Sequence, residues 1–130
     1  MSAVIDTNVL IFDTFEDSEF HKEATKGLDS VERWNLPDIV FHEFMWFLKS
    51  ENYELSRAKL KLEEYLTHEK SVFSPSIADD ILFASKVSKY SDYNDYIILS
   101  IAKRLEFPLL TFDSQLRKKA SKQGLKVIKV

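Results

Sequence analysis

The chain has no cysteine, two glycines and three prolines among its 130 residues. Without cysteine neither a disulfide framework nor a thiolate metal centre can form, so any metal must be held by oxygen or by histidine nitrogen. The three histidines, His21, His42 and His68, show no paired metal-ligand spacing, which leaves oxygen. So little glycine and proline supplies no linker, and no repeat or low-complexity tract interrupts the chain. It is read as a single domain, 1–130. No apolar run approaches the ~20 residues of a membrane span. Met1 to Asp6 enters an apolar strand without the basic region or long apolar region of a secretory leader. These two absences predict a cytoplasmic protein with no membrane partner.

The composition is 45% hydrophobic and 30% charged, which suits a globular domain with its own core. The formal charge of −3 argues against a protein that coats itself in nucleic-acid phosphate. Cations bound at an acidic site would cancel part of that charge, and a local basic patch can still grip a backbone. Arg117, Lys118, Lys119 and Lys122 form the densest basic cluster. It reads either as a solvated helix face or as a phosphate grip.

Ala3, Val4 and Ile5 form a short strand that ends at Asp6, and a helical pattern follows through Val9, Leu10 and Phe12. Ser18 to Leu28 reads as a helix with Ser18 as N-cap and Gly27 near its C-terminal end. Trp34 to Ile39 reads as a strand or extended passage bent by Pro37. Phe41 to Leu48 predicts a largely buried helix, and Leu55 to Leu66 an amphipathic one with Leu55, Leu62 and Leu66 toward the core. A short strand at Val72 and Phe73, helices over Ile77–Val87 and Tyr96–Leu105, a strand at Pro108–Thr111, a basic helix over Ser114–Gln123 stopped by Gly124, and a strand over Lys126–Val130 complete the pattern. Short strands alternating with helices imply a parallel sheet covered on both faces. Ligands in such sheets bind beyond the carboxyl ends of the strands, where Asp6 and Asp113 should both lie.

Each acid has a plain structural reading beside the functional one. Asp6 is either an N-cap for the following helix or a carboxylate that needs positive company once desolvated. Thr7 and Asn8 either orient that turn or hold a site water. Glu43 is a lone acid amid Phe41, Phe44, Met45, Trp46 and Phe47; it either faces solvent, pairing with His42 or Lys49, or does chemical work. Asp92 and Asp95 open a helix, where the helix dipole alone favours acids. Asp95 also heads the buried stripe of Ile98, Leu99 and Ala102. Asp113 and Thr111 serve equally well as a cap and its turn. Asp13, Glu16, Asp17, Glu63, Glu64, Asp79 and Asp80 are expected on solvent-exposed faces.

Taken together, VIDTNVLIF at 4–12, Glu43 in VFHEF, NDYIILSIAKRLEFPLLTFD at 94–113 and the closing basic helix and strand resemble the PIN-domain ribonucleases over essentially the whole chain. In size and layout the chain is most similar to the VapC toxins of toxin-antitoxin pairs. The resemblance implies a three-layer α/β/α fold around a short parallel sheet, and a Mg²⁺- or Mn²⁺-dependent endoribonuclease. It implies an RNA substrate and a cognate antitoxin protein as partner. The aromatic stretch of Phe41, Phe44, Trp46 and Phe47 reads mainly as core, with part of it left to support a homodimer, which is expected, or a groove for an antitoxin helix. The resemblance assigns Asp6, Glu43, Asp95 and Asp113 to one catalytic metal site, with Asn8, Asp92 and Thr111 as auxiliaries. Asp92 is an added carboxylate, and Tyr96 stands where the family often has a small residue. Physical chemistry agrees: two carboxylates ~4 Å apart repel by roughly 4 kcal/mol at an effective dielectric of about 20, so a cluster of them draws cations. Hard oxygen ligands suit Mg²⁺ or Mn²⁺. Two alternatives stand beside this reading. One is a catalytically silent PIN-like module that binds protein or RNA. The other is a phospho-accepting receiver domain, for which Asp38 with Lys126 makes a poor match.

Overall fold

Among the described residues five short strands, all parallel, form one sheet whose spatial order is β3-β2-β1-β4-β5. The computed structural model describes residues 1–128, so the end of the closing strand expected over Lys126–Val130 lies outside the described residues. The chain runs β1 (Ser2–Ile5), α1 (Thr7–Thr14), α2 (His21–Ser30), β2 (Arg33–Leu36), α3 (Asp38–Ser50), α4 (Leu55–Thr67), β3 (Ser71–Phe73) and α5 (Ala78–Ala84). A 3₁₀ turn at Tyr90–Asp92 leads into α6 (Tyr93–Leu105), β4 (Leu109–Leu110), α7 (Ser114–Lys122) and β5 (Val127–Ile128). With helices on both faces of the sheet this is a three-layer α/β/α fold.

The order of the strands matters for function. The chain builds outward from β1 to β3, then returns over α5 and α6 to set β4 on the other side of β1. The sheet therefore changes direction between β1 and β4, and the crevice beyond the carboxyl ends of those two strands is where such sheets take ligands. The register pairs Val4 with Leu109 and Ile5 with Leu110, and the Asp6 amide donates to the Leu110 carbonyl at 3.0 Å. Asp6 and Thr111 thus leave the sheet side by side.

The central strands are buried on both faces, with Ala3, Val4, Ile5, Leu36, Leu109 and Leu110 all fully inaccessible, whereas Val72 and Phe73 of the edge strand β3 are exposed. α6 contributes Ile98, Leu99 and Ala102 to the same core, and α3 contributes Val40, Phe44 and Leu48. A smaller cluster of Ala84, Ile97 and Ile101 joins α5 to α6.

Several local expectations need correcting. Ser18 is not an N-cap: its hydroxyl donates back to the Phe12 and Phe15 carbonyls, and the helix begins three residues later at His21, placing Gly27 inside it. Pro37 ends β2 and precedes the first turn of α3, so Asp38 and Ile39 are helical. α4 is rotated from the expected face. Ala58 and Tyr65 are buried and Leu62 partly so, whereas Leu55 and Leu66 are exposed. The helix from Ile77 ends at Ala84.

Candidate active site

Asp6 occupies the turn between β1 and α1 and is 6% exposed. Its two oxygens do different work. Oδ1 accepts from the Thr7 amide at 2.7 Å, which makes Asp6 the N-cap of α1, and Oδ2 accepts from the Thr111 hydroxyl at 2.6 Å. No cation pairs with it among the described residues. Burial, reinforced by the charges of Glu43 and Asp95, pushes the Asp6 carboxyl up from 3.8 to about 7 against the two hydrogen bonds that favour its ionised form.

Thr111 is the hub of this corner. It is fully buried; its hydroxyl donates to Asp6 and accepts from the Asp113 amide at 3.0 Å and from the Asn8 side-chain amide at 3.4 Å. Asn8 closes the loop by accepting from the Phe112 amide at 3.2 Å. The Thr111 carbonyl is in turn held by two nitrogens of Arg117, at 3.0 and 2.8 Å. Asp113 caps α7 through Oδ1, which accepts from the Gln115 and Leu116 amides at 2.8 and 3.2 Å. Its Oδ2 accepts no hydrogen bond among the described residues.

Glu43 lies half-buried on α3 and pairs with neither His42 nor Lys49. Its Oε1 accepts from the Thr7 hydroxyl at 2.6 Å and its Oε2 from the Asn94 side-chain amide at 3.1 Å. Thr7 therefore ties the first acid to the second, since its amide holds Asp6 and its hydroxyl holds Glu43. Asp95, in the first turn of α6, is reached by Lys119 from α7: the ammonium donates to Asp95 Oδ2 at 3.1 Å and to Asp92 Oδ1 at 2.8 Å. Burial raises the Asp95 carboxyl; the Lys119 pair opposes this, and the charges of Asp113 and Asp92 add to it. The Lys119 hydrogen bond holds Asp92 below the usual carboxylate range. Burial works against the Lys119 charge, but its two carboxylate partners outweigh it and raise that group.

Sequence reasoning missed two participants. Asn94 adjoins Asp95 in the sequence, and its position one residue before that acid in a helix's first turn was the available signal. Lys119 was read only as part of a basic cluster. In that cluster Arg117 and Lys119 turn inward to the site, leaving Lys118 and Lys122 exposed. Two acids expected on the surface are also engaged. Asp80 is 1% exposed and bound by Arg104, Ser100 and the Ile77 amide, and Asp13 accepts from Tyr65 and Thr25. Both lie outside the corner built by Asp6 and Thr111.

The donor set fits a hard divalent cation of limited protein ligation. All of its anionic donors are carboxylate oxygens, one of them buried without a counter-charge. Among the described residues no group of three acids or histidines is spaced to grip an ion directly. Such an ion can bind through one or two carboxylates and keep several waters, and Asp6 lies near enough to Glu43 and Asp95 for their charges to act on it.

Solved structures share this architecture. VapC20 of Mycobacterium tuberculosis, described as a toxin that cleaves the sarcin-ricin loop, superposes with a TM-score of 0.80 at 13% identity, covering 98% of this chain and 99% of that one. VapBC2 of Rickettsia felis, bound to a DNA fragment from its promoter, gives 0.69 at 15% identity over 98% of each chain. A toxin-antitoxin complex from Klebsiella pneumoniae gives 0.61 at 24% identity over 88% of this chain and 89% of that one. No curated protein matches the sequence. The PIN-domain family model matches residues 3–122, a span that takes in Asp6, Glu43, Asp95 and Asp113. By that match and by its fold, the chain belongs to the PIN-domain family.

Proposed function

We propose that this protein is a metal-dependent endoribonuclease and the toxin of a toxin-antitoxin pair, with the chemistry carried by one domain over 1–130. The observation that carries the reading is Asp6: a buried carboxylate with no cation among the described residues, at the switch point of a parallel sheet, its pKa pushed up by burial and further by two neighbouring acids. Membership of the PIN family and the toxins among the similar structures support the same conclusion.

Asp6, Glu43, Asp95 and Asp113 would hold Mg²⁺ or Mn²⁺. A bound divalent ion supplies Lewis acidity toward a phosphodiester and lowers the pKa of water. The protein's own groups do the positioning. Thr111 and the Thr7 amide fix both Asp6 oxygens, so that carboxylate cannot swing. Thr7 and Asn94 fix Glu43 from two elements, and the α7 amides fix Asp113. Such bracing keeps ligands in place without reorganisation during the reaction. The acids hold the ion and orient the attacking water; none needs to attack phosphorus.

The partners proposed are RNA as substrate and a protein antitoxin as regulator. Exposed Trp46 on α3 and Leu55 on α4, at 66% and 59%, support a homodimer; a monomeric mass by light scattering at micromolar concentration would count against it. No described helix is long and apolar enough to cross a membrane, and the cytoplasm is the proposed location. The test of function is cleavage of structured and single-stranded RNAs with EDTA, Mg²⁺ or Mn²⁺, using native protein, Asp6→Asn and Asp95→Asn. Metal-dependent cutting lost in both variants supports the reading. Folded protein that neither cuts nor binds metal would replace it with the silent binding module.

A further inference from the structure

Lys119 stands apart from the other basic residues of α7. Lys118 and Lys122 face solvent, and Arg117 is spent on a backbone carbonyl. Lys119 instead crosses to the 3₁₀ turn and α6, where it meets Asp92 and Asp95 at 2.8 and 3.1 Å. Its side chain is 22% exposed, and those of its partners 22% and 25%. Ala120 beside it is fully buried and anchors this stretch of α7, so the ammonium is carried on a rigid element.

We propose that Lys119 is a built-in cation of the carboxylate site, neutralising Asp92 and Asp95 in place of a second metal ion, so that the site takes one divalent ion rather than two. This rests on the metal-dependent reading above. The site contains Asp6, Glu43, Asp113 and Asp95, with Asp92 at its edge. A fixed positive charge on the Asp92 and Asp95 side repels a divalent ion arriving there. On the Asp6 side no cation is present among the described residues, and the desolvated carboxylate calls for one. The asymmetry therefore sorts the acids: Asp6 with Glu43 or Asp113 on the ion, and Asp95 shared with the lysine. The extra carboxylate at Asp92 then has a role. It gives the ammonium a second anchor, so that Lys119 stays in place while Asp95 Oδ1, which accepts no hydrogen bond among the described residues, remains free to reach an ion or its waters.

The test is Mn²⁺ binding to the full chain, counted by the EPR signal of free Mn²⁺ and by calorimetry, for native protein, Lys119→Met, Lys119→Gln and Lys119→Arg. The expected result is one ion for native protein and for Lys119→Arg. Whichever neutral variant is folded by circular dichroism should bind two, the second at least about tenfold tighter than any second ion on native protein. Two ions of similar affinity on native protein would overturn the proposal whatever the variants do, and would leave the nuclease reading intact. One ion on native and neutral variants alike would also overturn it and leave that reading intact. No ion on any of them would overturn both.

Discussion

Replacing Asp6 by asparagine should stabilise the metal-free protein at alkaline pH, although the residue is placed at the heart of the site. The folded state holds the Asp6 carboxyl at about 7, whereas the unfolded chain returns it to its ordinary value of 3.8. Between those values the folded state keeps a proton that the unfolded state has released. Stability therefore falls as pH rises from about 4 to about 7, and is flat for this group beyond. At ~1.4 kcal/mol per pH unit the full cost is about 4 kcal/mol. Asparagine removes the charge and keeps one carbonyl oxygen for the Thr7 amide, but its amide nitrogen faces the Thr111 hydroxyl, which already accepts from Asp113 and Asn8. The loss of roughly one good hydrogen bond returns about 1.5 kcal/mol. The variant should then exceed native protein by about 2 to 3 kcal/mol at pH 8, or several degrees in Tm. Urea unfolding in EDTA at pH 5, 6.5 and 8 measures it, and the native-minus-variant difference cancels groups common to both. The gap should shrink to zero or reverse at pH 5, and Mn²⁺ should close it at pH 8 by stabilising only the native protein. A variant no more stable than native at pH 8, with a difference independent of pH, would refute the reasoning.

Thr111→Val should cost about 2 to 3 kcal/mol, because it leaves Asp6 Oδ2 and the Asp113 amide without their partner in a buried corner; urea unfolding reads the loss, and a change under 0.5 kcal/mol would deny Thr111 its place as hub. Arg104→Met should cost roughly 3 kcal/mol by stranding the buried Asp80 carboxylate, held by Arg104 Nη2 at 2.9 Å. The double variant Arg104→Met with Asp80→Asn should recover part of that loss, and a further additive loss would show that the pair is not what Arg104 supplies.

Much of the fold was legible because its strands are short apolar runs with an acid or a turn at the end, as at Ala3–Asp6 and Leu109–Asp113. The face of α4 was not. Leu55, Leu62 and Leu66 define one stripe and Ala58, Leu62 and Tyr65 another, and hydrophobicity favours the first. The fold uses the second because the Tyr65 hydroxyl finds Asp13 at 2.6 Å and the Leu10 carbonyl at 3.3 Å. A buried tyrosine with its hydroxyl satisfied packs like any large apolar residue, but its partners come from 52 and 55 residues away. Asp80 was misjudged for the same reason: Arg104 and Ser100, which pay its desolvation, belong to a different helix.

The acids of the site were ambiguous in the sequence because the two readings of each describe one geometry. Asp6 and Asp113 do cap helices, each through Oδ1, and Asp95 does sit in a first turn. Capping explains why an acid follows β1 and another follows β4, since exposed amides at a helix start favour a carboxylate. It does not explain why those two helix starts share a corner. That follows from the sheet, which places β4 beside β1 after an excursion of two strands and six helices, so that Thr111 can bridge from one cap to the other. Each carboxylate spends one oxygen on its helix. The second oxygen of Asp6 is held by Thr111, while that of Asp113 is uncommitted. Local capping chemistry thus supplies and orients the acids, and the strand order assembles them. Only the second step depends on contacts that no window of the sequence contains.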